Sequence, residues 1–77
     1  MKRRIELYGR LRDAGLGSSV TVEVPRGASA RQALAALKPF FGASLPGCVL
    51  ASASEVLAGT DPLPEGRLAL LPPVCGG

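Results

Sequence analysis

The sequence predicts an α+β domain in which one main helix packs on a mixed sheet of about four to five strands. Two segments with alternating apolar residues begin the chain, one segment with helical spacing follows, and short apolar runs between turn residues complete it. The 77 residues allow one small domain, and an apolar content of 47% with only 19% charged residues is sufficient for a buried core.

The first two predicted strands each have one apolar face. Apolar residues alternate with polar ones in both strands, which places one set of side chains toward the core. The inward set consists of Ile5, Leu7, Val20, Val22 and Val24. Residues 9–17 between the strands are rich in glycine and predict a loop, and Pro25 ends the second strand. Two such strands joined by a loop predict an antiparallel hairpin.

The helix is predicted from a cap and an apolar stripe. Ser29 is a suitable N-cap, and Gln32 lies three residues later, where a capping box requires Glu or Gln. The stripe consists of Ala30, Ala33, Leu34 and Leu37. Pro39 is expected to end the helix at the preceding residue. Phe40 and Phe41 are then expected to close the core beneath the loop that follows.

Residues 48–58 give the least regular pattern. One short strand is expected there, and residues 56–57 are expected to form another. The residues that share a face of the first of these strands are predicted to be Val49, Ala51 and Ala53. Cys48, at the start of this segment, is interpreted as a small core residue. Turn-forming residues then dominate positions 59–66, with Leu63 as the apolar anchor.

The last predicted strand spans residues 67–71 and is apolar on both faces. Two apolar faces indicate a central strand, or a strand whose outer face is covered by a partner. One helix across one mixed sheet, in this order of elements, is the β-grasp or ubiquitin-like architecture. We therefore expect a β-grasp domain over residues 1–71 and a flexible tail over residues 72–77.

Composition excludes most self-contained enzymes. Histidine is absent, so the Ser–His and Cys–His pairs of nucleophilic catalysis cannot form within the chain. Two cysteines cannot alone supply the roughly four ligands of a zinc site, and no metal is expected. The net charge of +3 admits a nucleic-acid-binding module, but the aromatic residues are few and do not alternate with basic ones, so we expect no nucleic-acid partner. Without a long apolar run we also expect no membrane insertion and a cytoplasmic location.

The last seven residues, Leu71-Pro72-Pro73-Val74-Cys75-Gly76-Gly77, carry the strongest functional signal. The proline pair removes two backbone donors and keeps the chain extended. The di-glycine end has no side chains, which suits entry into a narrow channel. It offers one reactive group, the α-carboxylate of Gly77, on which another protein would act. A frayed terminus is the alternative for terminal glycines alone, but the predicted fold and the proline pair favour a carrier.

Three segments of the sequence resemble the β-grasp sulfur carriers, the MoaD/ThiS family. The segments are Ile5-x-Leu7-Tyr8-Gly9-Arg10-Leu11-Arg12, Val22-Glu23-Val24-Pro25-x-Gly27-Ala28-Ser29 and Leu70-Leu71-Pro72-Pro73-Val74-x-Gly76-Gly77. The proline pair favours the small subunits of molybdopterin synthase over the thiamine branch of the family. The sequence departs from the family in the middle strand, which lacks the usual asparagine, and in the turn at residues 66–68.

The resemblance implies a sulfur-donating small subunit of molybdopterin synthase that is not an enzyme by itself. An ATP-dependent, E1-like activating enzyme would adenylate Gly77, and a persulfide donor would convert it to a thiocarboxylate. The tail would then enter the large subunit of a heterotetramer and deliver sulfur to a cyclic pyranopterin, which forms the molybdopterin dithiolene. The resemblance implies no bound cofactor, since the sulfur is carried covalently on Gly77.

The resemblance also implies which residues bind the partners. They are Leu71, Pro72, Pro73, Val74, Cys75 and Gly76, with the docking surface on the sheet face near Leu71 and Val74. For Cys75, two readings stay open: a small residue that fits the partner's channel, or a thiol that relays sulfur. Two other functions also remain as alternatives, a β-grasp sulfur carrier for thiamine, cysteine or tRNA thiolation and a ubiquitin-like modifier that forms isopeptide bonds.

Overall fold

The residues described by the computed structural model, 1–14 and 17–73, form a four-stranded sheet and one α-helix. The elements in chain order are β1 (Lys2–Leu7), a 3₁₀ turn (Gly9–Ala14), β2 (Ser19–Glu23), α1 (Ala30–Phe41), a second 3₁₀ turn (Gly42–Ser44), β3 (Val49–Ala51) and β4 (Leu68–Leu71). The predicted α+β class, with one helix on a mixed sheet, is confirmed.

The sheet is mixed because its two central strands run parallel. The strand order is β2–β1–β4–β3. β1 pairs antiparallel with β2 and parallel with β4, where Leu7 is level with Leu70. β3 pairs antiparallel with β4, where Val49 is opposite Leu71. The predicted hairpin is therefore confirmed, and β4 is a central strand, as its two apolar faces indicate.

The core lies between α1 and one face of the sheet. Every inward residue predicted from the alternation of the first two strands is buried, and Cys48 is buried as expected. The helix contributes Ala30, Ala33, Leu37 and Phe41, with Leu34 partly buried beside them. The largest fully buried side chains are Ile5, Leu7, Leu11, Leu37, Leu50, Leu68 and Leu70. The helix and the sheet are therefore held together mainly by aliphatic packing.

Helix α1 begins where the sequence predicts but ends later. The Ser29 hydroxyl accepts a hydrogen bond from the Gln32 N–H at 3.3 Å, and the Gln32 Oε1 accepts one from the Ser29 N–H at 2.9 Å, which confirms the capping box. Pro39 lies inside the helix, so the predicted end was wrong. Proline lacks the N–H that would donate to the carbonyl of Ala35, a residue on the exposed side of the helix. Burial of Phe41 holds the last turn on the core.

Two neighbouring predictions were also wrong in part. Residues 9–14 of the predicted loop form the first 3₁₀ turn, which places Leu11 in the core. Phe41 is buried, but Phe40 is 44% exposed and does not help to close the core. Adjacent helical residues point about 100° apart. Because the helix continues through both residues, only one of them can face the sheet.

β3 is shorter than predicted. Val49 and Ala51 share a face, as expected, but Ala53 lies beyond the strand. The Ser52 hydroxyl accepts hydrogen bonds from the backbone N–H groups two and three residues later, and this local turn replaces further strand pairing. The predicted second strand at residues 56–57 is reduced to an isolated bridge between Val56 and Ala51.

The loop over residues 59–66 is fixed to the end of the sheet where β1 and β4 begin. Leu63 packs against the core, as its predicted anchor role requires, and its N–H donates to the Ala28 carbonyl at 2.9 Å. The Arg3 guanidinium donates to the Pro64 carbonyl at 2.6 Å. These contacts order the end of the sheet that lies opposite the C-terminal end of β4.

Removal of the helix cap tests the local contribution of Ser29. We expect Ser29→Ala to lower the free energy of unfolding by about 1 kcal/mol, because the N-terminal N–H groups of α1 lose a side-chain acceptor. Urea denaturation measures this change. Ser54→Ala, in the exposed turn after β3, is the control and should change the free energy by less than about 0.5 kcal/mol. Equal losses in the two variants would contradict a specific capping effect.

Candidate functional site

The tail leaves the domain from the end of a central strand. β4 ends at Leu71, and β1 and β3 flank it, so the following residues pass between the C-terminal end of β1 and the N-terminal end of β3. Pro72 and Pro73 are half-buried at this position. The remaining predicted tail residues lie outside the described residues, and their roles stay predictions. They are Val74, Cys75, Gly76 and Gly77.

Each proline lies against a glycine in one of the flanking segments. A Cβ placed on Gly9 would lie 3.0 Å from the Cγ of Pro72, and a Cβ placed on Gly47 would lie 3.1 Å from the Cβ of Pro73. The strand registers explain both contacts. Gly9 and Pro72 each lie two residues beyond the last parallel pair of β1 and β4, and Gly47 and Pro73 lie two residues outside the last antiparallel pair of β3 and β4.

The sheet face opposite the core is apolar beside the tail. Leu71 and Ala69 of β4 lie next to Val49 and Ala51 of β3, and Tyr8 lies just after β1 at the same corner. We call these five residues the sheet-face patch. Tyr8 is 42% and Val49 is 36% exposed. A shallow groove of about 290 Å³ is lined by every member of the patch except Val49. Apolar side chains grouped on a surface in this way indicate contact with another protein.

Charged residues border the sheet-face patch on the β1 side. Glu6 accepts a hydrogen bond from the Tyr8 hydroxyl at 3.2 Å and forms an ion pair with Arg67, with 3.1 Å between Oε2 and Nε. Arg67 is largely exposed, so this pair orients the side chains more than it stabilises the fold. The apolar patch therefore has a polar rim, as protein–protein interfaces do.

Cys48 lies next to the tail exit, immediately after Gly47, but it faces the core. Its side chain is almost fully buried. Burial raises the pKa of the Cys48 thiol, and the nearby Arg10 guanidinium opposes this shift. A thiol with a raised pKa remains protonated at neutral pH and is a poor nucleophile. Cys48 therefore acts as a packing residue at the base of the tail.

The helix α1 has 12 residues, whereas a helix that spans a membrane needs about 20. Across residues 1–14 and 17–73, no helix has the length and apolar character that a membrane span requires. In the same part of the chain, no three His, Cys, Asp or Glu residues are grouped closely enough to hold a metal ion.

Sequence reasoning identified the end of β4 but missed the residues around it. Gly9 belongs to the loop predicted over residues 9–17, and Gly47 belongs to the loop predicted after the helix. Tyr8 follows the inward-facing Leu7 of the first predicted strand, and no contact was predicted for it. Their shared position depends on the parallel pairing of β1 with β4 and the antiparallel pairing of β3 with β4. No local pattern encodes these pairings. The grouping of these residues around the tail can be recognised only when the strand order and register are known.

Comparisons with known proteins extend the description of the fold. Neither a protein-family profile nor a curated protein matches the chain. The crystal structure of SAMP1 from Haloferax volcanii is 27% identical to the chain, covers 100% of both chains and superposes with a TM-score of 0.72. The crystal structure of the H. volcanii small archaeal modifier protein 1 is 25% identical, covers 95% of this chain and 98% of that chain, and has a TM-score of 0.72.

A third solved structure, from Pyrococcus furiosus, carries the provisional name molybdopterin converting factor, subunit 1. It is 17% identical, covers 96% of this chain and 99% of that chain, and has a TM-score of 0.76. At this identity the likeness establishes the fold alone. The full coverage and similar size of the three neighbours confirm the predicted β-grasp, ubiquitin-like architecture.

Proposed function

We propose that this protein, a member of the β-grasp family of ubiquitin-like sulfur carriers, is the small subunit of a molybdopterin synthase and carries sulfur on Gly77. The observation that carries the proposal is that Leu71, Pro72 and Pro73, which lead into the sequence Val-Cys-Gly-Gly, lie beside an apolar sheet-face patch. A surface suited to a protein partner therefore adjoins the point from which the di-glycine sequence continues. The neighbours, which are small β-grasp proteins named as a modifier and a converting-factor subunit, support a chain that is acted upon by partners.

In this function, the partners perform the chemistry and the chain supplies the carboxylate. An ATP-dependent activating enzyme joins the Gly77 carboxylate to AMP and releases pyrophosphate, which turns an unreactive acid into a mixed anhydride. The outer sulfur of a persulfide donor then displaces AMP and forms an acyl disulfide. A thiol of the donor protein or of a second reductant cleaves the S–S bond, which releases the thiocarboxylate and leaves a disulfide on the thiol side. The large synthase subunit receives the thiocarboxylated tail and uses its sulfur for the dithiolene of molybdopterin.

The sheet-face patch would dock the domain while the tail reaches the partner's active site. Tyr8 and Leu71 are suited to this role because the exposed ring and the half-exposed leucine can be buried against a partner without any change in the fold. Pro72 and Pro73 interrupt the sheet ladder after Leu71, since neither can donate a ladder hydrogen bond. Docking and delivery thus use adjacent parts of one corner of the domain.

The intact mass of the chain tests the proposal. After incubation with ATP, the activating enzyme and a sulfide source, we expect a gain equal to the replacement of one oxygen by sulfur. A variant that lacks Gly77 should show no gain. Addition of the large subunit and the pyranopterin precursor should return the mass to its starting value. As a control, the same activating enzyme should thiocarboxylate the carrier protein that it normally modifies, in a parallel reaction. If that carrier gains sulfur and this chain does not, the sulfur-carrier function is overturned.

A ubiquitin-like modifier is the second candidate. The 27% sequence identity with SAMP1, which extends over the whole of both chains, favours it. In that case the activated Gly77 would form an amide with a lysine amine of a target protein. The expected product is a series of larger conjugates that resist thiol reductants and are missing with the variant that lacks Gly77. Conjugates without any thiocarboxylate would support the modifier over the synthase subunit.

A further inference from the structure

We infer that Gly9 and Gly47 are positioning residues for the tail. Together they form a slot, the Gly9–Gly47 slot, which holds Pro72 and Pro73 and sets the direction in which residues 74–77 leave the domain. The inference rests on the proposed function, because a set direction matters only if the carboxylate of the last residue is presented to a partner.

The prolines lie where a central strand would otherwise continue with hydrogen bonds on both sides. Proline has no N–H, and its ring fills the space that a ladder partner would use. Pro72 and Pro73 therefore cannot donate the ladder hydrogen bonds that help to fix the residues of β4. Side-chain packing takes over this part of the positioning, and the two residues are half-buried in the structure.

Glycine is required at both contacts for two separate reasons. A Cβ added to Gly9 would lie 3.0 Å from Pro72, and a Cβ added to Gly47 would lie 3.1 Å from Pro73. Both distances are shorter than nine in ten Cβ contacts in real proteins, so each proline ring would have to move by a few tenths of an ångström. The φ angles of Gly9 and Gly47 are +59° and +88°, where residues with a side chain are strained. Gly27 separates the two effects, because its φ is +77° but no atom lies within 4 Å of its added Cβ.

The geometry of the slot explains how it sets a direction. Gly9 contacts one proline from the β1 side, and Gly47 contacts the next proline from the β3 side. Two contacts on consecutive residues from opposite sides fix both the position and the orientation of the chain. The restricted φ of the proline pair carries this orientation outward, and a pre-oriented segment loses less entropy when it enters a binding channel.

Thiocarboxylation kinetics test the slot through three alanine variants. All three of Gly9→Ala, Gly47→Ala and Gly27→Ala should lose thermal stability, because each places a side chain at positive φ, and the loss should be at least as large in the two variants whose new Cβ also meets a proline ring. We expect only Gly9→Ala and Gly47→Ala to lower kcat/KM for thiocarboxylation, by about fivefold to tenfold and mainly through KM, since a tail that is no longer pre-oriented loses more entropy when it binds. An equal fall in kcat/KM for Gly27→Ala would overturn the inference.

Removal of the contacted proline atoms provides a specific rescue. Pro72→Ala deletes the Cγ that faces Gly9, whereas the Cβ that faces Gly47 is lost only in Pro73→Gly. The effect of Gly9→Ala should fall below about twofold in the Pro72→Ala background and persist in Pro73→Gly, as a double-mutant cycle for a direct contact requires. Gly47→Ala should show the reverse pattern. The same effect in both backgrounds would exclude a direct contact.

A measurement on the free chain keeps this inference separate from the proposed function. Residual dipolar couplings of the N–H groups of residues 74–77 report the direction of the tail without any enzyme. They should change in Gly9→Ala and Gly47→Ala but not in Gly27→Ala, and Pro72→Ala should abolish the response to Gly9→Ala. If the wild-type chain is never thiocarboxylated, this pattern still supports the slot. Couplings that do not distinguish Gly9→Ala from Gly27→Ala overturn it.

Discussion

Leu71→Asp is expected to weaken binding of the chain to its activating enzyme by about 30- to 100-fold, or about 2 to 3 kcal/mol. Leu71 lies at the centre of the sheet-face patch, between the neighbouring strands and directly before the tail. An aspartate there would carry a charge into an apolar contact, and that charge would lose water without gaining a partner. Titration calorimetry with the activating enzyme identified in the mass assay measures the loss.

The matched control for this variant is Thr21→Asp. Thr21 is exposed on β2, an edge strand on the far side of β1 from the patch, and it takes the same new charge in the same type of structure. We expect less than about a twofold change in affinity for this control, because isolated surface charges outside an interface contribute little. Both variants should retain the circular dichroism spectrum of the wild type. Equal losses for Leu71→Asp and Thr21→Asp would show that net charge, and not the patch, governs binding.

The elements that the sequence predicted well are those whose pattern is local. Ile5, Leu7 and the alternating valines of β2 are buried because a strand with one core face must alternate. The helix start could be predicted because Ser29 and Gln32 satisfy each other within one turn. The end of α1 could not, because a helix continues through Pro39 only if something else holds its last turn. That contribution comes from the burial of Phe41, a tertiary effect.

Of the candidate site, only the residues of the tail itself could be predicted from the sequence. The Pro-Pro and Gly-Gly pairs can be read directly from the sequence, and they predict a tail that follows Leu71. The surroundings of the tail depend on pairing between distant segments. Tyr8 joins the sheet-face patch because β1 lies parallel to β4, and Val49 joins it because β3 lies antiparallel to β4. Contacts between strands far apart in sequence are set by the whole core.

The central position of β4 has a second large consequence, which concerns stability. We expect Leu70→Ala to lower the free energy of unfolding by about 2 to 5 kcal/mol, because it deletes a fully buried side chain from the middle of the core. Leu70 is level with Leu7 of β1 and opposite Leu50 of β3, and both of these are also fully buried. The cavity therefore opens beneath three strands at once, where neighbouring side chains cannot all move inward to fill it.

Measured against the stability expected for a domain of this size, about 4 to 12 kcal/mol, such a loss is large. Thermal unfolding should show a midpoint lower by roughly 10 to 30 °C. Val56→Ala is the control, since Val56 is 59% exposed and its truncation should change the free energy by less than about 0.5 kcal/mol. A loss below about 1 kcal/mol for Leu70→Ala would mean that the core collapses around the site. The strand that carries the tail would then not be the rigid base that presentation of Gly77 requires.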